Sequence, residues 1–233
     1  MTQTTDQDRQ RELALFDLDH TLLDVDSDYL WGEYIVKNGL VDEAEYRTAN
    51  QAFYEQYIEG TLDATEYNEF VAQFLTTLPM ARLHELREDY IKQDIEPHIR
   101  PQALDAIQSH LARGHDVVII SATNDFVVSA IAARFDIMAA NVLATPLEIK
   151  DDRYTGKLTD KPNFQAGKIY HLEKWLDNKR ASGVQYAKTY AYSDSKNDMA
   201  LLEWADVPVC VSPDAVLHAH ALAHRWAVED WSI

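Results

Sequence analysis

Cysteine is almost absent from this chain. Cys210 stands alone among 233 residues, which excludes a disulfide framework and any metal centre built from several thiolates. It falls in Val207-Pro-Val-Cys-Val211, where a small buried hydrophobe is expected. Glycine is scarce, with 7 in all, and none are spaced as Gly-x-Gly-x-x-Gly or as a Walker-type phosphate loop. No apolar run reaches the roughly 18 residues of a membrane span. The stretch from Met1 to Arg11 is polar and lacks an apolar signal core, so a reducing, cytoplasmic setting is expected. Bases are outnumbered, 21 against 39 acids, for a net charge of −18. Nucleic acid and anionic membranes are therefore excluded as expected partners. A divalent cation, or a substrate carrying positive groups, is drawn in instead.

The length suits one sizeable domain, or a domain with a smaller companion. Such a chain buries about 70–75% of its unfolded surface and needs no covalent staples. Three regions differ in character. The first is Leu13-Ala-Leu-Phe16, a short apolar strand that ends in Asp17-Leu-Asp19-His-Thr21. Side chains alternate along a strand, so Asp17 and Asp19 share a direction if the extended geometry persists. Two carboxylates at the end of a buried strand repel unless a cation sits between them or they share protons in a reaction. The second region, 24–98, reads as helical over Tyr46–Gly60, Asp63–Leu78 and Arg82–Gln93. Apolar and aromatic residues recur there at three- and four-residue spacing, as in Phe53, Tyr54, Tyr57, Ile58 and in Phe70, Phe74, Leu75. It holds 17 acids, 5 bases and 11 of the 24 aromatics.

From Arg100 onward helices and strands alternate. Pro101–Arg113 is a helix with Gly114 as its stop; Asp116–Ile120 is a buried strand; Asp125–Phe135 is a helix. Leu147–Leu158 is a hairpin around Asp151-Asp152. Gly167–Asn178 is a helix, Thr189–Ser193 a strand, Asn197–Trp204 a helix and Val207–Val211 a strand. The tail, 213–228, adds a helix and an edge strand. Repeated β–α units imply an α/β, Rossmann-like, doubly wound parallel sheet. Sites in such sheets form beyond the carboxyl ends of the strands.

The residues that follow each strand are therefore the informative ones. Ser121-Ala-Thr-Asn124 follows the strand at 116–120; read alone, it is a helix N-cap, and a hydroxyl with helix-terminal amides is also an anion site. Asp194 and Asp198 follow the strand at 189–193, where acids also serve as caps. Lys168 opens a helix after Phe164-Gln-Ala-Gly167, with Lys161 nearby. A lysine alone is a solvated charge, but a carboxylate cluster needs a fixed cation to bind a phosphate dianion.

In this order, the acid pair, hydroxyl, lysine and second acid pair resemble the four motifs of the haloacid dehalogenase-like hydrolase superfamily. The motifs correspond to Asp17-Leu-Asp19-His-Thr21, Ser121, Lys168 and Ser193-Asp194-Ser-Lys-Asn-Asp198. Ser193 stands where many members have glycine. The resemblance covers nearly the whole chain. It implies a core of 1–23 and 99–233 with 24–98 inserted as a helical cap domain. It implies a Mg²⁺-dependent phosphatase in which Asp17 is the nucleophile and becomes an aspartyl-phosphate. Asp19 is the acid and base. Mg²⁺ is held by Asp17, the Asp19 main-chain carbonyl, Asp194 and waters. Ser121 and Lys168 hold phosphoryl oxygens, Asn124 touches substrate or shapes its loop, and Asp198 and Thr21 support from behind.

Within the superfamily the chain resembles the phosphoserine-phosphatase-like subclass. The run Asp26-Ser-Asp28-Tyr-Leu-Trp31-Gly-Glu33-Tyr, with Gly39-Leu-Val and Glu45-Tyr-Arg47, is similar to bacterial histidinol-phosphatases. Their product alcohol carries an ammonium and an imidazole, which suits Asp26, Asp28, Trp31 and Glu33 as substrate contacts. The same aromatics also read as helical core, and the acids as a solvated face. Phosphoserine remains the alternative substrate, with Arg47 as a partner for its carboxylate, and a catalytically silent acidic scaffold is the alternative of another class. The expected partner is a small phosphorylated metabolite, and the assembly a monomer or homodimer.

Overall fold

The computed structural model describes residues 11–59 and 61–232. The polar start of the chain, the expected helix end at Gly60 and the side chains of Tyr57 and Ile58 lie outside the described residues.

Six strands make one parallel sheet. They are β1 (Arg11–Phe16), β2 (Asp116–Asn124), β3 (Val142–Thr145), β6 (Tyr186–Ser193), β7 (Val207–Val211) and β8 (Ala227–Glu229), in the spatial order β3-β2-β1-β6-β7-β8. The chain works outward from β1 through β2 to β3, then returns to the other side of β1 with β6. The order therefore reverses at β1, the position at which such sheets leave a crevice. A separate antiparallel hairpin joins β4 (Leu147–Lys150) to β5 (Arg153–Leu158). Its turn residues, Asp151 and Asp152, have φ of 48° and 61°, the left-handed pair that a two-residue hairpin turn takes.

Alternation along the strands makes two cores. Leu13 and Leu15 of β1, with Val118 and Ile120 of β2, face α7 (Ala166–Ala181), α8 (Met199–Trp204) and α9 (Ala215–His224). Ala14 and Phe16, with Val117 and Ile119, face α5 (Pro101–Ala112) and α6 (Asp125–Ala132). Burial on both faces is why these strands read as unbroken apolar runs. Gly114, at φ 79°, closes the end of α5, as its position in the sequence predicts.

Between β1 and α5 the chain is helical: α1 (Ser27–Lys37), α2 (Glu43–Glu59), α3 (Ala64–Gln73) and α4 (Met80–Tyr90). Three of the four, α2, α3 and α4, fall within a few residues of the expected helices, and α1 is new. Asp26 starts α1 by accepting from the amides of Asp28 and Tyr29 at 2.9 and 2.8 Å. The helices have no separate core. Trp31 is fully buried and packs on Tyr34, Phe74 and Tyr90, and also on Phe126 of α6. The two chain crossings lie side by side: Leu23 pairs with Ile99, and the Asp24 amide donates to the His98 carbonyl at 3.1 Å. The β4–β5 hairpin packs on α3 through Lys157–Glu69 at 2.6 Å and through Gln73 Nε2 donating to the Gly156 carbonyl at 3.3 Å.

Candidate active site

A cavity of about 620 Å³ opens beyond the carboxyl ends of β1, β2 and β6, with the helical layer as its other wall. Asp17 enters from the end of β1, its amide donating to the Tyr192 carbonyl of β6 at 3.0 Å. Lys168, in the first turn of α7, reaches it from below: Nζ lies 2.8 Å from Asp17 Oδ1 and 2.7 Å from Asp198 Oδ2. All three side chains are buried. Burial alone would lower the lysine's pKa, but the Asp17 and Asp198 carboxylates outweigh it and hold the ammonium charged. Burial pushes the Asp17 carboxyl well above the usual range; Lys168 opposes this, while Asp198 and Asp194 add to it. Lys161, the other lysine of this region, instead lies over the Tyr170 ring at 3.9 Å.

Lys168 is held at this depth by the loop before it. Gln165 has φ 49°, and Gly167 passes so close to the Pro162 carbonyl oxygen that a Cβ there would collide with backbone. Asn163, fully buried, donates to the carbonyls of Ser121 and Leu143 at 2.8 Å each and so ties this loop to β2 and β3.

Thr21 links the two acid motifs. Its Oγ1 lies 3.3 Å from Asp17 Oδ2 and 3.1 Å from Asp194 Oδ1, and accepts from the Asp194 amide at 3.1 Å. Burial pushes Asp194 up to about 6. Ser193 takes part as well: its hydroxyl donates to Asp198 Oδ2 at 2.8 Å, a bond glycine at this position lacks. Asp17 and Asp198 thus flank one ammonium, and Asp194 stands beside Asp17 across Thr21. That surplus of buried oxygen charge fits a hard cation. Among the described residues no three acid, histidine or cysteine side chains form a complete cage. Two carboxylates completed by carbonyl, water and substrate oxygens are what magnesium usually takes.

Asp19 lines the cavity with its carboxylate gripped by three donors. These are the Ser27 amide at 2.7 Å, Thr123 Oγ1 at 2.9 Å and Ser121 Oγ at 3.4 Å. Ser121 itself is not on the cavity wall. Strand β2 runs to Asn124, four residues past the expected end, so Ser121 is fully buried within it while Ala122 and Thr123 line the cavity. Asn124 is likewise internal, capping α6 by accepting from the Val127 amide and donating to Asp28 Oδ1, both at 3.1 Å.

Of the four expected substrate contacts on the helical layer, Asp26 and Asp28 line the cavity, and Trp31 and Glu33 do not. Trp31 is core because α1 turns its indole toward α4 and α6. Glu33 is bound to Arg47 at 2.7 Å on the surface, so neither residue of that pair meets the cavity. Burial, and then Asp19, raise Asp26 to about 6; burial, Asp26 and Asp19 raise Asp28 to about 8. Thr123, Tyr67, Asn68, Asn50 and His20 line the cavity without having been expected there. None of the five carries a sequence signal that sets it apart from the other polar residues of its segment.

The family model for haloacid dehalogenase-like hydrolases matches residues 14–203. The chain is 39% identical over 219 residues to the histidinol-phosphatase of Neisseria meningitidis, covering 94% of this chain and 98% of that protein. It is 26% identical to a phosphoserine phosphatase of Mycobacterium tuberculosis over 94% of this chain and 71% of that one. Among solved structures, a protein of unknown function from Bordetella pertussis superposes with a TM-score of 0.89 at 36% identity, covering 96% of this chain and all of the other. A substrate-bound phosphoserine phosphatase shares the fold, with a TM-score of 0.62 at 20% identity over 95% and 94% of the two chains. The carboxylate–lysine centre at the strand ends and the match across most of the sequence lead to one conclusion: this chain belongs to the haloacid dehalogenase-like hydrolases.

Proposed function

We propose that this chain is a Mg²⁺-dependent phosphoric monoester hydrolase that works through an aspartyl-phosphate and takes L-histidinol phosphate as substrate. The observation that carries the reading is Lys168, buried between Asp17 and Asp198 at the floor of an acid-lined cavity. The 39% identical histidinol-phosphatase supports the substrate. So does the cavity wall, which among the described residues holds no arginine and one lysine, already paired with two acids. A carboxylate-bearing ester such as phosphoserine finds little to meet it there.

Asp17 attacks phosphorus and forms an O–P bond as the bond to the alcohol oxygen breaks. Asp19 gives its proton to that leaving oxygen, then takes one from the water that frees Asp17 as phosphate departs. Lys168 offsets charge on Asp17 and on the phosphoryl oxygens. Asp17, Asp194 and the Asp19 carbonyl would hold magnesium, which would supply further neutralisation of the transferring group. Ser121 acts through Asp19, orienting it together with Thr123. Residues 24–98 serve as the cap over a core of 1–23 and 99–233, excluding water from the first step.

The test is hydrolysis of histidinol phosphate and of phosphoserine with Mg²⁺, with EDTA, and by Asp17→Asn. Turnover is expected with Mg²⁺ alone, and the variant is expected to be inactive. A kcat/KM about tenfold or more in favour of phosphoserine overturns the substrate, and full activity in Asp17→Asn overturns the nucleophile.

A further inference from the structure

Two acceptors in the helical wall of the cavity lack the partner their chemistry asks for. Asp28 is 5% exposed. Its carboxyl takes the Asn124 amide at 3.1 Å and a hydrogen bond from the Tyr67 side chain, both neutral donors. No cation among the described residues is paired with it. Asn68, one position after Tyr67 on α3, is 4% exposed. Its Nδ2 is committed to the Ala64 carbonyl at 2.8 Å, which fixes the amide's orientation. Its Oδ1 is buried without a hydrogen-bond partner. A buried acceptor left unmet destabilises the fold, and a carboxyl buried with no cation beside it is driven toward its neutral form. Neighbouring Asp26 is already occupied by the amides that open α1.

We propose that Asp28 and Asn68 together bind the primary ammonium of the substrate's leaving alcohol. The proposal rests on the phosphatase reading above and deepens it by naming which residues read the alcohol. An ammonium carries three donors and one charge. Both side chains line the same cavity, so one ammonium offers a donor to the orphaned amide oxygen and a charge that favours the ionised form of Asp28. Tyr67 orients Asp28, and Asn124 ties it to the first turn of α6, so the subsite is fixed to both layers of the molecule. A carboxylate or a bare alkyl group at the same place leaves both acceptors unmet.

The experiment is calorimetric binding to the intact protein of L-histidinol and of the same imidazolyl alcohol lacking the amine. Wild type is expected to bind the amino alcohol at least about tenfold more tightly. In Asp28→Asn, and separately in Asn68→Ala, that ratio is expected to fall to about threefold or less, with a cooperative melt showing that each variant folds. A wild-type ratio near one overturns the subsite, as does a ratio that both variants retain. If one variant does not fold, the other decides. Binding needs no turnover, so the outcome is separate from the substrate test. An intact amine ratio in a protein that leaves histidinol phosphate uncleaved upholds the subsite and removes only the substrate.

Discussion

Thr21 Oγ1 lies within 3.3 Å of Asp17 Oδ2 and 3.1 Å of Asp194 Oδ1. A hydroxyl has one proton, so it serves one of these two carboxylate oxygens at a time and leaves the other facing the first without that donor. Mg²⁺ is therefore expected to stabilise the fold as well as to support turnover. Thermal melts should show a rise in Tm on adding Mg²⁺ to wild type, reversed by EDTA and much reduced in Asp194→Asn. An equal rise in that variant places the ion elsewhere.

Lys168 is a fixed cation between two buried acids. Removing one partner of a buried pair costs about 3–5 kcal/mol. Lys168→Met is expected to lose activity and about that much stability in urea unfolding. Lys168→Arg is expected not to restore activity, because a planar fork does not replace a point charge in a slot this narrow.

Asp28 gives a pH signature. Its carboxyl is raised from an ordinary carboxylate value to about 8, so the folded state holds a proton that the unfolded chain gives up. The stability this supplies is complete below the ordinary carboxylate range and is lost as pH rises toward about 8. The groups that face it are Asp19 and Asp26 from the loop before α1, Tyr46 of α2, Tyr67 of α3 and Tyr90 of α4. Asp28→Asn should therefore gain on wild type as pH rises from 5 to 8. A Tm difference that stays constant across that range rules the assignment out.

Gly167→Ala tests the loop that presents Lys168. The new methyl meets the Pro162 carbonyl oxygen, which is backbone and yields poorly. Overpacking of this kind costs about 1–3 kcal/mol, and activity should fall further than stability because the lysine is the next residue.

Trp31 and Glu33 separate packing from recognition. Trp31→Ala should cost about 3–5 kcal/mol through the cavity it leaves. Glu33→Gln, which loosens a surface pair with Arg47, should change stability by less than about 1 kcal/mol and leave the amine ratio where it is.

The sheet was legible because its strands are buried on both faces, so Leu13–Phe16 and Val117–Ile120 announce themselves. Four-residue β3 did not, since Val142–Thr145 has no length and no clean alternation. Asp17 and Asp198 were legible from the rule that sites sit after strands; Lys168, which opens a helix, was joined to them by the four-motif resemblance alone. The helical wall was harder. Trp31 and Asp28 stand three apart on one helix, yet one faces the core and the other the cavity, and that rotation is set by α4 and α6. Asn68 was missed because an unsatisfied amide oxygen is a relation between helices, invisible in a string of letters.

The β4–β5 hairpin belongs to the α/β half by chain and to α3 by packing. Any swing of the helical layer about its paired crossings must part Lys157 from Glu69 and Gln73 from Gly156, and must also draw Trp31 off Phe126 and Asp28 off Asn124. The first is a surface ion pair worth well under about 1 kcal/mol, and the second a single neutral hydrogen bond of about that size. The polar contacts of the hairpin are thus its weakest hold on the helical layer, while Leu147 and Tyr154 anchor it in the shared core; removing the Lys157 and Gln73 side chains should speed exchange of small molecules with the cavity, and removing the hairpin itself should also cost stability.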